Sequence, residues 1–269
     1  MIRVTLWHKL PSAPVMAALP ELSWHRVGGG SPASTTAALM IYVALNFMAE
    51  QRDDVSKPPA QSPPPPVPVG AVPVEPLFNF LNPPGSPPLV QSELQQEQPG
   101  YVADASYDEL ATATGLSRSL ISQGLARLLE LKLITLEGSR QKRIYRLTWG
   151  NTKWFKLPCY AIVKNGAIEP FKSFTLRSKY ELHALKLYLY LAAIRSNKQF
   201  FSVASFETIH KRIGISERDI RKASSHLVST GLLSRIDREA SAIDTYGHNK
   251  YYLSGYAKLA SSSPTAAAA

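Results

Sequence analysis

Two stretches of the chain share one hydrophobic rhythm. Residues 106–134 (SYDELATATGLSRSLISQGLARLLELKLI) align without a gap with residues 205–233 (SFETIHKRIGISERDIRKASSHLVSTGLL), at a constant offset of 99. Leu110 meets Ile209, Ile121 meets Ile220, Leu128 meets Leu227 and Leu133 meets Leu232, so apolar positions recur with helical spacing in both copies. The pattern predicts a short helix capped by Ser106 or Ser205, a turn at Gly115 or Gly214, and a longer helix after Ser117 or Ser216. The glycines suit a tight turn that needs positive φ.

Each copy has a long apolar helix upstream, about 31–49 and 176–196. Ala38–Leu45 resembles Ala184–Leu191 at an offset of 146. Ser31 followed by Pro32 marks the start of the first of these helices. The 47 extra residues correspond to a proline-rich insert at 51–100. Thirteen of the 21 prolines lie between Pro58 and Pro88, and proline lacks the donor that helices and central strands require. The insert is therefore expected to be extended or disordered, a spacer or a ligand for a protein partner with an aromatic-lined groove. Its Leu77–Leu81 stretch is apolar enough to pack back on the body. Short extended pieces precede the capped helices at Tyr101–Ala103 and Phe201–Val203. A hairpin follows each copy, Leu133–Leu136 with Ile144–Leu147, and Leu232–Ile236 with Tyr251–Leu253.

The expected fold class is mainly α with small β-hairpins, an α+β arrangement. The expected divisions are an N-terminal segment, 1–30, with a short strand at Ile2–His8 and a Gly28–Gly30 hinge; a first domain, 31–150; a linker, 151–175, with a strand at Tyr160–Val163; a second domain, 176–256; and a frayed tail, 257–269.

Charge sharpens this picture. The net charge is +10, unevenly placed: residues 1–100 hold 5 Lys/Arg against 7 Asp/Glu, 101–150 hold 7 against 5, and 151–255 hold 17 against 8. A basic half joined to a neutral half points to a polyanion partner. Cys159 is the sole cysteine, so neither a disulfide framework nor a multi-cysteine zinc site is available within one chain, and a reducing cytoplasm is expected. The longest apolar run, Ala37–Met48, is well short of the roughly 20 residues that span a bilayer. The six histidines show no HExxH or HxxxH spacing, and Gly28–Gly30 is not followed by Gly-Lys-Ser/Thr. No nucleophile elbow and no paired-histidine nicking motif is present. A non-enzymatic protein without a metal or cofactor is the expectation.

Helix, glycine turn, longer helix and hairpin, in that order and twice, resemble the winged-helix branch of the helix-turn-helix superfamily. In that pattern a small residue stands four before the turn glycine and an aliphatic one six after it. Ala111, Gly115 and Ile121 match. In the second copy Gly214 and Ile220 match, but His210 stands where a small residue is expected. The resemblance implies two tandem winged-helix domains, the first interrupted by the proline-rich insert, binding double-stranded DNA.

It also implies which residues touch DNA, since the second helix of each pair enters the major groove. In the first unit these are Arg118, Ser119, Ser122, Gln123 and Arg127, with the wing tip Arg140, Lys142 and Arg143. In the second they are Arg218, Arg221, Lys222 and Ser225, with Lys211, Arg212, His248 and Lys250 on backbone phosphates or in the wing. Arginine suits guanine and glutamine suits adenine. Three functions fit the layout: a sequence-specific transcriptional regulator, a replication initiator of a plasmid or mobile element, or a winged-helix protein-interaction or chromosome-segregation factor. Association as a homodimer is compatible with each.

Overall fold

The computed structural model describes residues 2, 5–24, 31–52, 100–138, 143–149, 153–196, 198–238 and 248–261. The expected Gly28–Gly30 hinge, Leu77–Leu81, the wing-tip residues Arg140 and Lys142, and residues 262–269 of the tail lie outside them.

Strand β1 (His8–Pro11) runs into helix α1 (Ser12–Glu21), and helix α2 (Ala33–Met48) follows. Strands β2 (Glu50–Arg52) and β3 (Gly100–Asp104) flank the proline-rich stretch. They pair antiparallel, Glu50 with Val102 and Arg52 with Gly100. Strand thus reaches into both ends of the range assigned above to the insert, where no proline interrupts the ladder. Helices α3 (Tyr107–Thr114) and α4 (Arg118–Glu130) and strands β4 (Ile134–Gly138) and β5 (Arg143–Leu147) complete this unit around a sheet ordered β2-β3-β5-β4.

The connection holds strand β6 (Trp154–Leu157), helix α5 (Cys159–Ile162), strands β7 (Val163–Lys164) and β8 (Ala167–Ile168), and a 3₁₀ turn at Glu169–Ser173. Of the strand expected at Tyr160–Val163, only Val163 is strand and Tyr160–Ile162 form a helical turn, followed by a tight hairpin through Asn165 and Gly166, at φ 50° and 77°. Positive φ at both positions is what an Asn-Gly hairpin turn supplies. The second unit is α6 (Lys179–Ile194), β9 (Ser202–Ala204), α7 (Phe206–Ile213), α8 (Glu217–Ser229), β10 (Leu233–Arg238) and β11 (Asn249–Leu253), with the sheet ordered β10-β11-β9. Helix α9 (Tyr256–Ser261) closes the described chain.

Local chemistry explains the equivalence of the two units. Ser106 accepts from the Glu109 amide in a capping box, and Ser205 accepts from the Thr208 amide. Gly115 and Gly214 end α3 and α7 in left-handed conformation, at φ 74° and 70°, where a side chain is strained. Ser117 and Ser216 cap the longer helices. Ala103 pairs with Tyr145, and Ser202 with Tyr251, so the offset of 99 extends through the first strand of each sheet.

Helix α2 buries all 16 of its residues, which is why its sequence has no polar face. Ser34 and Asn46 close locally, Asn46 Nδ2 donating to the Tyr42 carbonyl at 2.7 Å, whereas the Thr36 and Tyr42 hydroxyls are buried without a partner among the described residues. It packs on α4, and α2 and α6 also touch each other. One hydrophobic cluster therefore runs through both units. The N-terminal segment joins it. β1 pairs with β6, and of the strand expected at Ile2–His8 only His8, among the described residues, lies in that sheet. Helix α1 packs against α6 and α7. Buried Glu181 organises the entry to α6: its carboxylate accepts from the amides of Thr175, Arg177 and Ser178 and from the Thr175 hydroxyl. That clamp holds Leu176 at φ 60°, a conformation unfavourable for a bulky side chain.

Candidate nucleic-acid interface

Helix α8 presents a basic stripe. Ile220, Ala223 and Leu227 face the core, and Arg218, Arg221, Lys222 and Ser225 are exposed at i, i+3, i+4 and i+7 on the opposite side. Neither Arg218 nor Arg221 forms an ion pair among the described residues. Arg221 instead lies 5.8 Å over the Phe206 ring. Lys222 Nζ donates to the Tyr180 hydroxyl at 2.9 Å and sits 4.6 Å over that ring. The helix N-terminus that leads the stripe favours anions.

Two concavities flank this ridge. One, of about 460 Å³, lies between α8 and the β10–β11 hairpin and is floored by Phe206, Val228, Ile236 and Tyr251. The other, of about 670 Å³, lies toward the start of α6, with Thr175, Tyr180 and Glu181 in its wall. Arg221 and Ser225 border both. Asp219, buried beside the stripe, pairs with Lys179 at 2.9 Å.

The corresponding stripe on α4 is different. At the offset of 99 the residues equivalent to Arg218, Arg221, Lys222 and Ser225 are Ser119, Ser122, Gln123 and Ala126, none of them charged. Gln123 is also engaged internally: its Nε2 donates to Ser119 Oγ at 3.2 Å, and its Oε1 accepts from the Ser31 amide at 3.3 Å. Arg118 is exposed but bound to Asp108 at 2.7 Å. The Arg127 side chain is only 16% exposed and pairs with Glu130 at 2.8 Å, so it stands apart from the outward face. Arg143, paired with Gly138 at the loop end of the first hairpin, donates to the Tyr107 hydroxyl at 2.7 Å and covers its ring.

The remaining second-unit candidates are scattered around α8. Lys211 pairs with Glu207 at 2.6 Å on an exposed face, an interaction worth little in water. Arg212 and His248 are exposed, and Lys250 is half-buried on β11, 5.5 Å from the Phe201 ring. The departure at His210 has a simple geometry. The ring lies at the exposed edge of the α7–α8 contact, and its Nδ1 bridges the turn to the Ile215 carbonyl at 3.0 Å, as donor in that tautomer. Sequence reasoning did not single out Arg235, which lies 4.1 Å over the Tyr252 ring on β10. The alternation of the strand carried the only signal for it.

Buried titratable groups elsewhere are shifted by desolvation. Burial pushes the Cys159 thiol up to about 11, which makes it a poor nucleophile. Burial first, and then Lys186, lower His183 to about 4, against the opposing pull of Asp219. Among the described residues no cluster of three or more His, Cys, Asp or Glu side chains is disposed to hold a metal, and no helix is long and apolar enough to cross a membrane. No protein-family model matches the chain, and no curated protein matches it.

Proposed function

We propose that the two units are winged helices in tandem and that the chain binds double-stranded DNA through the second of them, as a sequence-specific transcriptional regulator. The observation that carries this reading is the contrast between α8 and α4: the same helix position bears three cations in one copy and none in the other. An exposed arginine pair without acidic partners among the described residues suits guanine edges and phosphates, and the hairpin beyond it supplies exposed Arg238 toward the flanking backbone. The first unit then serves as a weak second reader or as an assembly surface. A second reading, initiation of replication on a plasmid or mobile element, is favoured by the same inequality, since it calls for units with different tasks. Genome-wide mapping of bound sites separates the two. Sites upstream of promoters support regulation, direct repeats beside an AT-rich tract support initiation, and an absence of enriched sites contradicts both.

A further inference from the structure

The outer face of the second unit's sheet combines aromatic rings with cations. Side chains alternate along β9 and β11: Ser202, Ala204, Tyr251 and Leu253 turn inward, and Val203, Lys250 and Tyr252 turn outward. Just before β9, Phe200 is 43% exposed and Val203 within it is 40% exposed. The rings of Phe200, Phe201 and Tyr252 gather within 5.5–5.7 Å of one another. Cations are interleaved with them. Arg235 lies 4.1 Å over Tyr252, Lys250 lies 5.5 Å from Phe201, and Lys198 is exposed beside Phe200. Asp237 offsets part of this charge, touching Arg235 Nε at 3.3 Å.

Exposed aromatic rings have no partner on a duplex, whose bases are already stacked; unpaired bases stack on such rings, while lysine and arginine hold the phosphates between them. A protein partner fits less well, because the cores of protein interfaces are depleted in lysine. The first unit provides an internal contrast. There an additional strand, β2, pairs along β3. Tyr101 is stacked on Trp149 at 3.8 Å, and Arg146, equivalent in register to Tyr252, is held by both oxygens of Glu137. There the sheet edge is taken and the rings stack on each other, whereas among the described residues of the second unit β9 is an edge strand and Phe200 stands exposed beside it.

We propose that this aromatic and basic face binds single-stranded DNA, on the side of the sheet opposite α8, so that duplex and single strand are held by separate surfaces of one unit. The choice of DNA over RNA rests on the duplex reading of α8; the stacking surface itself does not. The test is fluorescence anisotropy of labelled oligo-dT, oligo-rU and a random duplex with the full chain, as wild type, Phe200→Ala and Arg221→Ala. Phe200→Ala is expected to weaken oligo-dT binding roughly 5- to 100-fold, the effect of removing one stacking platform, and to leave duplex binding unchanged. Arg221→Ala is expected to do the reverse, so a failure of the duplex reading shows separately. The proposal is overturned if the wild type does not bind oligo-dT at low salt, if Phe200→Ala binds it equally well, or if oligo-rU binds as tightly. It is also overturned if sedimentation shows instead a dimer that Phe200→Ala disrupts.

Discussion

Lys186, buried in the middle of α6, donates its Nζ to the carbonyl of Leu22 at 2.8 Å. The bond ties the end of α1 to the central helix of the second unit, 164 residues away. It also satisfies a carbonyl that the end of α1 leaves open.

Burial lowers the Lys186 ammonium to about 8 from its ordinary 10.5. Between those values the unfolded chain binds the proton and the folded chain does not, so stability gains as pH rises through this window. Wild type should gain on Lys186→Met by up to about 3 kcal/mol from pH 8 to 10.5, measured by urea titration at each pH. A constant difference between the two would show that Lys186 is not desolvated in the fold.

His183 gives a second pH signature, at the acid end. Its folded value of about 4 lies below the ordinary 6.5, so the unfolded chain takes up the proton first as pH falls through that range. Stability is lost on acidification from 6.5 toward 4, by up to about 3 kcal/mol. His183→Leu should flatten this part of the curve relative to wild type. Equal slopes for the two proteins would argue that the ring is hydrated.

At Gly124 α4 lies close against α2. A Cβ there would meet Ile41 Cδ1 at 2.6 Å, the Ala38 nitrogen at 3.1 Å and the Ala37 carbonyl carbon at 3.2 Å. The isoleucine tip can move, but the α2 backbone cannot easily do so. Gly→Ala inside a helix ordinarily stabilises by up to about 1 kcal/mol. Here overpacking, at about 1–3 kcal/mol, should outweigh that gain, and Gly124→Ala should melt lower. A higher melting temperature would mean that α2 and α4 are packed less tightly than described.

The parts of the fold legible in the sequence were those governed by local rules. Ser106, Gly115, Ser117 and their counterparts 99 residues on are caps and turns whose conformation depends on near neighbours, and the structure places them as caps and turns. Segment 1–30 was illegible for the opposite reason. β1 exists because β6, about 150 residues later, pairs with it. The α1 sequence also carries Pro14 and Pro20, which break the usual helix signature although one falls in the first turn and the other near the end. At Tyr160–Ile162 apolar residues suited strand and helix alike, and tertiary packing decided for a helical turn. For the interface, helical periodicity identified the outward residues of α8. It could not show that Arg127 pairs with Glu130 or that Gln123 is tied to Ser31, because those partners are fixed by rotamers and by a distant loop.

The proposed duplex binding rests on α8 as a phosphate-binding surface. The direct measurement is the affinity of the full chain for a short duplex of random sequence as a function of salt, for wild type, Arg218→Ala, Arg221→Ala and Lys222→Ala, with Ser122→Ala as the control on α4. The predicted result is a steep linear fall of log affinity with log salt. Its slope should drop by about 0.9 for each phosphate that the substituted α8 cation neutralises, and Ser122→Ala should leave it unchanged. Absence of duplex binding at low salt, or the same slope for all five proteins, would contradict it.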